Sequence, residues 1–208
     1  MEHKIIVVGI GPGSQEYILP VVSRIIEGAE VLVGSRRALT TLAPNHRAVK
    51  IIDNDLSGVL DFITESLMAH DVVVMVSGDP GFYSFLATLK TRFPAERITV
   101  IPGISSLQLA FSRITELWQD ASLISMHGRH AKEIDLDYNP GKKLGILTDS
   151  GHNPLYIANL LLEHGWPLHS RVWLCANLSY ENEQIIQVAL GEIKEADEFT
   201  HCVMVVMI

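Results

Sequence analysis

The chain has 208 residues, which at about 150 residues per domain allows one domain or two small ones. Hydrophobic residues make up 48% and charged residues 19%, enough apolar material for packed cores and too much for a disordered chain. Sixteen Lys and Arg against 24 Asp and Glu give a net charge of −8; the basic footprint of a nucleic-acid binder is missing, and a polyanionic substrate would require a local basic patch.

Met1-Glu2-His3-Lys4 leads into a strand over Lys4 to Val8 without a signal-peptide layout. The loop Gly9-Ile10-Gly11-Pro12-Gly13-Ser14 follows, then a helix from Leu19 to Glu27. Glu30 to Val33 reads as a strand, Arg36 to Leu42 as a helix and Val49 to Ile52 as a strand. From Leu56 to Ala69 the residues Leu56, Val59, Leu60, Ile63 and Leu67 repeat at helical spacing. Asp71 to Val76 is a buried-type strand, followed by a helix over Phe82 to Thr91. A strand over Arg97 to Ile101 and a helix over Ile104 to Ile114 complete five strand–helix steps, which predicts a mostly parallel, doubly wound sheet. After about Trp118 strands dominate, at Ala121 to Met126, Lys143 to Leu147, Val172 to Ala176, Gln184 to Leu190 and Phe199 to Met207. One strong helix, Pro154 to His164, stands among them. The expected architecture is α/β in two domains, residues 1–116 and a smaller mixed domain over 117–208. No apolar run reaches the roughly 18 to 20 residues of a membrane helix. The chain is expected to be soluble and cytoplasmic, engaging neither membrane nor nucleic acid. Cys175 and Cys202 lie far apart without C-x-x-C spacing and read as small buried hydrophobes.

Three glycine-containing loops each follow a strand of the first domain: Gly9 to Gly13, Ser77-Gly78-Asp79-Pro80-Gly81 and Pro102-Gly103-Ile104-Ser105-Ser106. Ligands of open parallel sheets sit outside the carboxyl ends of the strands, and glycine there lets a ligand approach the backbone. Each loop alone reads first as a tight strand-to-helix turn; three together point to one shared ligand. Ser14 stands where G-x-G-x-x-G needs its third glycine, and no G-x-x-x-x-G-K-[ST] occurs. The ligand is therefore expected to be adenosine-like, without a pyrophosphate to cradle.

Val8 to Gly13, Ser77 to Pro80 and Pro102 to Ser106, in this order, resemble the motif set of the tetrapyrrole methylases. Val33-Gly34-Ser35-Arg36-Arg37-Ala38-Leu39 is similar to a G-x-R-R-x-L element, and Ser125-Met126-His127-Gly128-Arg129 to an S-x-H-G-R stretch, of the branch that methylates carbon 5 of a precorrin in cobalamin synthesis. The resemblance covers essentially the whole chain. It departs at Ser14, where Asp is common, at Pro20, where Thr is frequent after Leu, and at Ala176, where an acidic residue often precedes Asn. It implies a two-domain fold with a cleft between the domains, S-adenosylmethionine (SAM) as cofactor, a tetrapyrrole substrate (precorrin-6Y or cobalt-precorrin-7) and a homodimer. Any decarboxylating carbon-15 methyltransferase would be a separate partner protein.

By the same resemblance Gly11, Pro12, Ser77, Gly78, Asp79, Phe82, Ser105 and Ser106 line the SAM site, and Thr148 does so from the second domain. Asp79 has two readings: a ligand partner, or a carboxylate stabilising its own turn or the following helix. Methyl transfer from a sulfonium needs mainly alignment, so no protein nucleophile or metal is expected. The acetates and propionates of a tetrapyrrole call for cations, and the guanidinium fork suits carboxylates. Arg36 and Arg129 are the leading candidates, ahead of Arg37, His127, His130 and Lys132. His127 and His130 have H-x-x-H spacing but no further ligands at metal-site spacing. His127 is a candidate for taking the proton lost on methylation. Two rivals remain at this stage: an rRNA methyltransferase of the same fold, against which the charge argues, and a non-catalytic nucleotide-sensing module, against which the intact loops argue.

Overall fold

The computed structural model describes residues 2–43, 45, 48–194, 199 and 202–208. The chain divides into two compact units, Met1–Ser105 and Ser106–Ile208, each built around one sheet. The first contains β1 (Ile5–Gly9), α1 (Pro20–Glu27), β2 (Val31–Gly34), α2 (Arg36–Leu42), β3 (Ala48–Ile51), α3 (Leu56–Ser66), β4 (Val72–Val76), α4 (Leu86–Arg92) and β5 (Ile98–Ile101). Its strands run in the order β3-β2-β4-β1-β5 and every pairing is parallel.

Helices cover both faces of this sheet, which is why β4 is buried along its whole length and is uniformly apolar rather than alternating. On one face, Val22 and Ile26 of α1 and Ala38 and Leu39 of α2 pack with Val8, Leu32, Val73 and Met75. On the other, Val59 and Ile63 of α3 and Leu89 of α4 pack with Ile5, Val7, Val31 and Val74. The chain steps one way across the sheet from β1 to β3 and back from β3 to β5. With right-handed crossovers, the neighbours β1 and β4 then send their following segments to opposite faces. This is the switch point at which doubly wound sheets bind ligands.

Two helices of this unit are shorter than their sequence spacing predicts by more than one residue. The segment before α4 is a turn through Phe85: Tyr83 sits at φ 47° and Ser84 Oγ donates to the Pro80 carbonyl at 2.5 Å, so α4 begins at Leu86 rather than Phe82. Likewise α3 ends at Ser66, and Met68 to His70 close tight turns onto Glu65 and Ser66. Pro20 occupies the first helical position of α1, where its missing N–H costs nothing.

The second unit contains α5 (Ser106–Arg113), β6 (Ser122–Ser125), α6 (Glu133–Leu136), β7 (Leu144–Leu147), α7 (Pro154–Glu163), β8 (Arg171–Ala176), β9 (Gln184–Ala189) and β10 (Cys202–Met207). The order is β6-β7-β10-β8-β9; β6 and β7 are parallel, and the remaining pairings antiparallel. One face packs Ile124, Ile146, Leu174 and Met204 with Ile157 and Leu161 of α7 and with Trp166. Against the other lies α5: a Cβ on Gly145 would meet Phe111 Cε2 at 2.8 Å and Leu107 at 3.0 Å. Cys175 pairs with Val203, and Cys202 with Ala176, so the two thiols point to opposite faces of the sheet. Burial pushes both up to about 12, which leaves them protonated and unreactive. Among the described residues no helix is long and apolar enough to cross a membrane.

Candidate functional site

At the switch point the three glycine loops are knotted together through main chain. Gly11 and Gly78 form a single antiparallel bridge, with Gly78 N–H donating to the Gly11 carbonyl at 2.8 Å. Both residues take left-handed φ, +77° and +66°, which a branched side chain resists. A Cβ on Gly9 would lie 2.5 Å from the Gly78 oxygen and 2.6 Å from Gly103 N, and one on Gly103 would strike the same oxygen. Above Gly78 the space is open, since an added Cβ there would meet only Ser105 Cα, at 3.6 Å. The surface suits a ligand that lies directly against main chain.

Asp79 ties two of these loops. Its Oδ1 accepts from Gly81 N at 2.7 Å and its Oδ2 from Gly103 N at 3.1 Å. With the Gly78 amide also engaged, these glycine N–H groups are directed at protein acceptors, the opposite of a phosphate cradle. Ser14 caps the short turn that follows the first loop, its Oγ accepting from Glu16 N at 3.3 Å. Ser77 is exposed, and Phe82 is half-buried and packs edge-on against Tyr83 at 4.7 Å between centroids. Pro12 is half-buried beside the bridge. Arg36 and Arg37 are exposed in the first turn of α2, behind the Ser35 cap. Since β2 is parallel to its neighbours, they share the loop edge of the sheet. Cations are disfavoured at a helix N-terminus by a few tenths of a kcal/mol, so helix stability does not explain them. Away from this edge a cavity of about 350 Å³, lined by His3, Arg24, Glu30, His70 and Asp71, opens toward the start of β1 and β4; its His70–Glu30 and His3–Asp71 pairs are mutual.

In the second unit β6 and β7 point the same way, and apart from Ser106 the remaining candidates lie in the loops after them. Ser106 opens α5 and is half-buried. Thr148 is buried, its hydroxyl donating to the Cys202 carbonyl at 2.8 Å. His127 Nδ1 lies 3.2 Å from the Thr148 carbonyl, which makes that nitrogen a donor and leaves Nε2 as the acceptor. His127, Arg129 and His130 are all exposed. Holding this loop is Asp149, whose Oδ2 accepts from Gly128 N at 2.6 Å and whose Oδ1 accepts from Gly151 N at 2.8 Å and His152 N at 2.6 Å. The Gly128 amide above all, then that of His152, holds the Asp149 carboxyl far below the usual carboxylate range. Among the described residues no group of three His, Cys, Asp or Glu side chains is arranged around a metal position.

The structure thus brings Gly11, Gly78, Asp79 and Ser105 together in the first unit, and His127 and Thr148 in the second. Sequence reading missed Asp149 and His152. The signal available was Asp149-Ser150-Gly151 after a strand, an Asx-turn pattern, but its reach across to Gly128 has no spacing signature. It also missed Arg113, whose Nε donates to Glu183 Oε1 at 2.5 Å while Glu183 Oε2 accepts from Ser179 N at 2.6 Å. Burial works against the charge on Glu183, but the Arg113 guanidinium and the Ser179 amide hold its carboxyl below the ordinary value. That pair fixes the loop after β8, where Asn177 and Ser179 take φ of 50° and 75°.

The family model described as Tetrapyrrole (Corrin/Porphyrin) Methylases matches residues 4–194. A probable cobalt-precorrin-7 C(5)-methyltransferase of Methanocaldococcus jannaschii is 31% identical over 93% of this chain and 92% of its own length. The crystal structure of a precorrin-6Y methylase of cobalamin biosynthesis from Archaeoglobus fulgidus superposes with a TM-score of 0.72 at 27% identity, over 100% of this chain and 98% of that one. A uroporphyrin-III C-methyltransferase from Thermus thermophilus, crystallised with S-adenosyl homocysteine, shares the fold with a TM-score of 0.72 at 19% identity, over 98% and 92% of the two chains.

Proposed function

The chain belongs to the tetrapyrrole (corrin/porphyrin) methylases, and from that premise we propose that it transfers a methyl group from SAM to carbon 5 of a precorrin in cobalamin synthesis. The position on the macrocycle is supported by the relative named for it, and the precorrin substrate by the precorrin-6Y methylase structure as well. The observation that carries the cofactor reading is the Gly11–Gly78 bridge at the switch point, with open space over a main chain that bears no Cβ.

In this reading Gly11, Pro12, Ser77, Gly78, Phe82, Ser105, Ser106 and Thr148 line the cofactor. Asp79 acts through the backbone, holding the second and third loops in register. When bound, SAM supplies an already activated sulfonium methyl, so the chain needs no nucleophile of its own and much of its work is alignment. Arg36 and Arg129 take carboxylates of the macrocycle, providing local attraction that a chain of net charge −8 otherwise lacks.

Calorimetric titration with S-adenosylhomocysteine tests the cofactor site. The unaltered chain binds it. Gly78→Val, which places a branched Cβ at φ +66° in the open space, weakens binding more than tenfold, about 1.4 kcal/mol. Unchanged affinity in that variant would move the cofactor elsewhere.

A further inference from the structure

Asp149 and His152 lie in the loop between β7 and α7 with side chains 18% and 15% exposed, and His130, in the loop after β6, is exposed. His152 Nδ1 is 3.3 Å from the Asp149 carboxylate, and its Nε2 is 3.4 Å from His130 Nδ1. The proton positions along this line follow from chemistry. An ionised carboxylate only accepts, so His152 Nδ1 carries the proton and donates. A neutral imidazole then accepts at Nε2, so His130 Nδ1 donates to it. His130 Nε2 is left with a lone pair. The rings of His130 and His152 meet edge-on at 4.9 Å, and those of His152 and Tyr156 at 5.3 Å, which fixes the orientation of the pair.

We infer that His130 is the general base of the methyl transfer, with His152 and Asp149 positioning it and stabilising the charge it acquires. The inference rests on the methyltransferase reading above. Transfer to a carbon bearing hydrogen breaks the S–CH3 bond, its electron pair returning to sulfur, forms the new C–CH3 bond, and breaks the C–H bond. The proton released goes to His130 Nε2. The resulting imidazolium is linked through His152 to a carboxylate held ionised by three backbone amides, the arrangement that makes a carboxylate–imidazole pair effective as a base. His127 differs in kind: its Nδ1 rests on the Thr148 carbonyl, which orients the ring but carries no countercharge. Among the described residues, the ionisable group in contact with His130 is His152; behind His152 stand Asp149 and Tyr156, and His130's own loop also carries His127, Arg129 and Lys132.

Two experiments on the full chain test this. Imidazole 15N spectra read the relay without any cofactor. The expected tautomers carry the proton on Nδ1 of both His152 and His130, and His152→Gln, which removes the ring acceptor, releases His130 from that tautomer. A His130 proton found on Nε2 in the unaltered chain, or a His130 tautomer that His152→Gln leaves untouched, would refute the relay. Single-turnover methyl transfer from labelled SAM to a precorrin reads the base. His130→Gln lowers the rate about a hundredfold, with KM little changed, and abolishes its rise with pH; His152→Gln costs less and displaces the pH profile. A loss confined to KM, an unchanged profile in His130→Gln, or the full loss in His127→Gln alone would overturn the assignment. No transfer by the unaltered chain would overturn the methyltransferase reading itself, and the base with it.

Discussion

Arg129 stands in the loop after β6, next to a glycine whose amide is bound by Asp149. The loop that carries its guanidinium is anchored through that Gly128 amide. A charge-assisted hydrogen bond to a carboxylate contributes about 1.5 to 3 kcal/mol, so Arg129→Ala is expected to lower kcat/KM for the precorrin roughly ten- to a hundredfold while SAM affinity stays nearly constant. Arg129→Lys restores only part of the loss, because the ammonium keeps the charge without the fork. Steady-state kinetics alongside calorimetry decide it: loss of SAM affinity, or full activity in the Ala variant, would remove Arg129 from the substrate wall.

Between elements, the junction that matters most in the second unit is the one Asp149 makes between the β6–α6 and β7–α7 loops. Its folded-state carboxyl lies below the ordinary value of 3.8, so its stabilisation is complete above that value and fades as pH falls through it toward the folded-state value. Asp149→Asn is therefore expected to cost about 1 to 3 kcal/mol at neutral pH, and the gap to the unaltered chain narrows below about pH 4. Urea denaturation at several pH values measures this; a gap that stays constant into acid would mean that the charge contributes nothing. This junction was not legible in the sequence, because a hydrogen bond between residues 128 and 149 leaves no periodic trace. The first sheet was legible for the contrary reason. Five consecutive apolar residues in β4 record burial on both faces, and glycines recur where loop backbones touch. The packing of α5 was not legible, since a helix following β5 has the same spacing whichever sheet it covers. The close fit at Gly145 appears only once Phe111 and Leu107 are seen above it.

At the scale of the whole molecule, an acidic chain of net charge −8 with the polycarboxylate substrate proposed above would place the burden of recognition on a few cations, of which Arg36 and Arg129 are the ones proposed. The same charge weighs against an RNA substrate. The motifs read from sequence reached the family because they are local, each a strand end and the loop after it. The Asp149–His152–His130 line is nonlocal, and in sequence His130 offered only an H-x-x-H spacing with His127. The most direct measurement is the fate of the methyl group. The full chain is incubated with SAM bearing a 13C methyl, a precorrin and, in a parallel reaction, ribosomal RNA, and the products are read by 13C NMR. The account predicts one labelled methyl on carbon 5 of the macrocycle and none in RNA; label on another atom, in RNA, or in no product would contradict it.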